Sequence, residues 1–115
     1  ISLGGETFVA ELKGGCVREY TLTPQQFGFD PCPAERLVVH NIDEAKAMLR
    51  SVLDNVDGPA RDIVCLNAGA AVYVGGVAGT LAEGISRAQA AIESGAAKAK
   101  LAELVELTSR LGRNA

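Results

Sequence analysis

Along residues 6–12, Phe8, Ala10 and Leu12 alternate with Thr7, Val9 and Glu11, a period of two that predicts a half-buried strand. A second run of the same kind, Cys16–Leu22, follows Lys13-Gly14-Gly15. Glycines tolerate positive φ, so the two runs are expected to form an antiparallel hairpin. Pro24, Pro31, Pro33 and Gly28 then break any regular pattern, and residues 23–33 read as an ordered loop.

At Asn41 the period changes to three and four. Asn41 is placed as an N-cap, Glu44 as its reciprocal capping partner and Asp43 in the positive first turn of a helix. Behind them Ile42, Ala45, Leu49, Val52 and Val56 form one apolar stripe, expected to pack against the sheet or another helix. Gly58-Pro59 ends that helix, and Pro59 can also open the next. Residues 63–77, IVCLNAGAAVYVGGV, are apolar almost all round, so periodicity does not separate a buried helix from two short strands; length favours the helix. Gly69, Gly75 and Gly76 weaken it by about 1 kcal/mol each relative to Ala unless close packing offsets the loss. Thr80 and Glu83 repeat the capping box ahead of Leu81, Ile85, Ala88 and Ile92. After Ser94-Gly95, with Ser94 as a cap, a final helix carries Ala97, Leu101, Leu104, Val105, Thr108 and Leu111 to about Gly112. The fold class is α/β: an antiparallel hairpin packed with about four helices.

Composition narrows this picture. A chain of 115 residues is the length of one domain, and 48% hydrophobic against 22% charged residues makes it globular rather than disordered. Three Phe, two Tyr and no Trp stand against 18 Ala and 13 Gly, so the core must be built by close approach of backbones. A net charge of −3 provides no basic patch for nucleic acid. No apolar run reaches the ~20 residues needed to span a bilayer and the first residues lack a signal-peptide layout, which points to no membrane partner and to the cytoplasm. Cys16, Cys32 and Cys65 lie at long spacings without a CxxC, and read as small free thiols rather than a disulfide framework or a zinc site. The chain opens at Ile1 without a methionine and close to a strand, the expected appearance of a piece of something longer.

Groups able to carry chemistry are few. His40 precedes an N-cap with no partner at ligand spacing and reads as a solvated or locally bonded histidine. Ser51, Ser86 and Ser109 lie on helices without a base or a GxSxG. Asp43-Glu44 is an adjacent carboxylate pair, but helix capping explains both residues, and a hard cation needs oxygens converging from several elements. Gly75-Gly76-Val77-Ala78-Gly79 fits neither phosphate-loop pattern and reads as a turn between helices. No catalytic, cofactor-binding or metal residue is assigned.

The strings GETFVAELKGG, REYTLTPQQFGF, GPARDIVCLNAGAAVYVGG and SGAAKAKLAELVELTSRLG resemble, in this order and spacing, the C-terminal third of anthranilate phosphoribosyltransferases. TLTPQQFG and LNAGAA make the resemblance specific. It implies that residues 1–115 are the C-terminal portion, a single incomplete domain, of the larger α/β domain of a nucleoside phosphorylase/phosphoribosyltransferase-like fold, the hairpin contributing to a mixed sheet. The parent activity it implies is pentosyl transfer from phosphoribosyl pyrophosphate to anthranilate in tryptophan biosynthesis, with magnesium and as a homodimer. Its metal-binding Asp-Glu pair would fall immediately before Ile1, so the role is not moved to Asp43-Glu44. The segment is then structural support, partnered by the remainder of its polypeptide and inactive alone. A pyrimidine nucleoside phosphorylase-like fragment and a non-enzymatic interaction domain are the alternatives.

Overall fold

The computed structural model describes residues 1–113. Two strands, β1 (Thr7–Lys13) and β2 (Cys16–Leu22), are followed by short 3-10 turns at Pro24–Phe27 and Ala34–Leu37, and then by α1 (Ile42–Leu53), α2 (Pro59–Val74), α3 (Leu81–Glu93) and α4 (Ala96–Arg113). The strands pair antiparallel from Thr7 opposite Leu22 to Lys13 opposite Cys16. Gly14 and Gly15 both take positive φ, 58° and 78°, and close the hairpin in two residues.

Pairing puts Thr7, Val9, Glu11, Tyr20 and Leu22 on one face and Phe8, Ala10, Leu12 and Val17 on the other. Alternation is present as predicted, but the covered face is the more polar one. Phe8 and Leu12 are 82% and 73% exposed, because only the Glu11 face is turned toward the helices.

Both capping boxes form, each displaced by one residue. Asn41 Oδ1 accepts from the Glu44 N–H at 2.9 Å, while Glu44 Oε2 accepts from the backbone N–H of His40 at 2.8 Å rather than that of the cap itself. At α3, Thr80 Oγ1 accepts from the Glu83 N–H at 3.1 Å, and Glu83 Oε2 accepts from Gly79 N–H at 2.9 Å. Each carboxylate satisfies a donor one position before the cap and sits in the positive end of the helix. Ser94 contributes less than expected, its hydroxyl accepting from the Ala96 N–H at 3.4 Å.

The α1 stripe is corrected more strongly. Val52 alone among its five residues is buried, and Ile42, Ala45, Leu49 and Val56 are exposed, because burial along α1 is confined to Met48, Ser51, Val52 and Leu53 in its second half. Residues 63–77 resolve into the long helix favoured by their length, ending at Val74, and Gly75 to Gly79 form the turn into α3.

The centre of the molecule is the α2–α3 pair. A Cβ placed on Gly69 would meet the Cα and N of Ile85 at 2.6 Å, and one on Gly84 would strike the carbonyl oxygen of Gly69. No side chain fits there, so Gly69, which weakens α2 as a helix, and Gly84 on α3 let the two backbones touch. Around this contact Leu66, Cys65, Ile85, Ile92 and Val52 make the core, which Leu3, Phe29 and Cys32 complete from the N-terminal segment and the proline-rich loop. The Cys32 N–H donates to the Leu3 carbonyl at 3.0 Å, so that loop is built into the core. Burial pushes the Cys65 thiol up, leaving it an inert packing group. In contrast, α4 has no buried residue, and Leu104, Val105 and Leu111 stand more than half exposed.

Candidate functional site

None of the predicted candidates converges on a reacting centre. Glu44 is spent on the N-terminus of α1, where the His40 N–H holds its carboxyl below the usual range, and its Oε2 also lies 3.2 Å from His40 Nδ1. His40 is therefore locally bonded and exposed, as its position implied. The Ser51 hydroxyl donates to the Met48 carbonyl at 2.7 Å, an ordinary back-bond within a helix. Asp43 is exposed in the first turn of α1, and no group of three or more His, Cys, Asp or Glu side chains able to hold a metal ion occurs among the described residues. Asp43-Glu44 thus gains no third such ligand among the described residues. Gly79 gives its N–H to Glu83, which confirms the glycine-rich segment as a helix-capping turn.

Polar organisation appears instead where the hairpin meets α2. A groove of about 550 Å³ runs between them, lined by Val9, Glu11, Lys13, Tyr20, Tyr73 and Leu81 among others. The Tyr73 hydroxyl donates to Glu11 Oε1 and accepts from Lys13 Nζ at 3.1 Å, and Lys13 lies 4.9 Å from the centre of the Tyr73 ring. Tyr20 donates to Glu11 Oε2 at 3.2 Å. Both carboxylate oxygens are thus occupied by phenols, so Glu11 is a fixed acceptor that pins the hairpin and not a free base.

Protonation follows from that arrangement. The Tyr73 hydroxyl above all holds the Glu11 carboxyl below its usual range, and Tyr20, Lys13 and Arg18 act in the same direction. Tyr20 is raised by burial first and by Glu11 second. Glu11 therefore stabilises docking fully above the ordinary carboxylate pKa, and its contribution is lost as pH falls through its lowered folded value. Tyr20 contributes fully below the ordinary tyrosine pKa and loses its effect as pH rises through its raised value. Amide-exchange protection of the hairpin against pH is expected to be flat between those limits and to fall outside both. Tyr73→Phe should move the acid limb up toward the ordinary carboxylate value; an unmoved limb would mean that Glu11 does not pin the hairpin.

A second polar junction joins the start of the chain to α2. Asn67 Nδ2 donates to the Ile1 carbonyl at 2.7 Å and to the Ile63 carbonyl at 3.0 Å, and Asn67 Oδ1 accepts from the terminal ammonium of Ile1 at 2.6 Å. Sequence reasoning passed over Asn67, Glu11, Tyr20, Tyr73 and Lys13. The one available signal was Asn67 itself, a lone carboxamide inside an otherwise apolar run.

An α/β body with a β-hairpin laid on a glycine-packed helix pair matches a known family. Residues 1–98 match the model of the glycosyl transferase family, a/b domain, and the chain belongs to that family. Among its relatives, the anthranilate phosphoribosyltransferase of Laribacter hongkongensis (strain HLHK9) is 60% identical over 111 residues, which are 96% of this chain and 32% of the relative. That of Nitrosospira multiformis is 50% identical over 113 residues, 98% of this chain and 32% of the relative. The crystal structure of anthranilate phosphoribosyltransferase from Thermus thermophilus superimposes with a TM-score of 0.82 at 34% identity, covering 92% of this chain and 31% of that one. The chain spans about a third of the length of the curated relatives it matches.

Proposed function

We propose that this chain is the C-terminal third of an anthranilate phosphoribosyltransferase and acts as its structural support. The observation that carries the reading is 60% identity across 96% of the chain to an enzyme of that name three times as long. Placement as the closing third rests on the order of the sequence blocks. The relatives' names favour anthranilate over a pyrimidine nucleoside as the substrate class.

In the whole enzyme the amino nitrogen of anthranilate would displace pyrophosphate at the anomeric carbon of phosphoribosyl pyrophosphate, with positive charge developing on the sugar and negative charge on the leaving group. Fixed donors and magnesium stabilise such a leaving charge. On this reading its ligands and the substrate-binding groups lie in the remainder of the polypeptide, where the resemblance puts an Asp-Glu pair immediately before Ile1. Homodimerisation and a cytoplasmic setting belong to the same reading; among the described residues, no helix is long and apolar enough to cross a membrane.

Open apolar faces support a role within a larger body. On α2, composed for burial all round, Val64 and Val74 are 39% and 82% exposed, and the Phe8 face of the hairpin is bare. The purified 115-residue chain is expected to release no pyrophosphate from phosphoribosyl pyrophosphate with anthranilate and magnesium, whereas the longer polypeptide that contains it does. Turnover by the chain alone would sink the supporting role.

A further inference from the structure

We draw no further inference here: the strongest candidate, the largely apolar groove between the hairpin and α2, has its polar side chains Glu11, Lys13, Tyr20 and Tyr73 bonded to one another, and nothing in the structure shows what covers it.

Discussion

Gly84→Ala is expected to cost about 3 kcal/mol or more, a large share of the roughly 5–15 kcal/mol that stabilises a domain. The new methyl group would strike the carbonyl oxygen of Gly69, a backbone atom of the facing helix that cannot swing aside as a flexible side chain can. Relief requires α2 and α3 to separate, and separation loosens Leu66, Ile85 and Ile92 together. Propensity acts in the other direction, since Ala favours an isolated helix over Gly by about 1 kcal/mol, so the sign of the result decides between local preference and tertiary contact. Gly112→Ala is the matching control: nothing lies within 4 Å of its added Cβ, and the substitution should be neutral or stabilising by up to about 1 kcal/mol. Denaturant midpoints by circular dichroism would show it. Equal effects at Gly84 and Gly112 would refute the close backbone contact.

Leu66→Ala should destabilise by about 3–4 kcal/mol, the range for removing a fully enclosed leucine from a core that collapses only in part. Leu66 is 0% exposed and lies on the same helix as Val74, which is 82% exposed. In the isolated chain Val74→Ala should therefore change stability by less than about 0.5 kcal/mol. In the longer polypeptide, if the open face of α2 is covered there, the same substitution should cost about 1–2 kcal/mol through lost burial. The pair of measurements separates a core position from one whose neighbours lie elsewhere. A Val74→Ala cost that is small in both settings would remove α2's open face as support for a larger body.

Much of the fold was written in local signals. Two adjacent glycines fixed the hairpin turn, Asn41 and Thr80 marked the starts of α1 and α3, and the length of residues 63–77 decided for one helix. What was not legible depends on partners distant in sequence. Both faces of β1 carry apolar residues, so alternation alone does not say which is covered, and the choice falls to Tyr73, 62 residues away from Glu11. The stripe on α1 is a sound amphipathic pattern whose covering is largely absent here, which leaves Ile42 84% exposed. The same holds for Asn67: its residue type announces only a polar group in an apolar run, and its pairing with Ile1 appears once the chain has folded back on α2. Glu11, Tyr20 and Tyr73 brace the hairpin through contacts that no local pattern announces.

The hairpin's attachment through Tyr73 also orders the events of folding. β1 with β2, and α2 with α3, are each neighbours in sequence, so both pairs close short loops and form quickly. The Glu11–Tyr73 contact spans 62 residues and has to wait for both. During synthesis the hairpin leaves the ribosome before α2, with its Glu11 face uncovered until α2 has followed it. The outer edges of both strands have no strand partner among the described residues even after Tyr73 has docked, so docking shields the Glu11 face while both edges stay open to pairing with another strand.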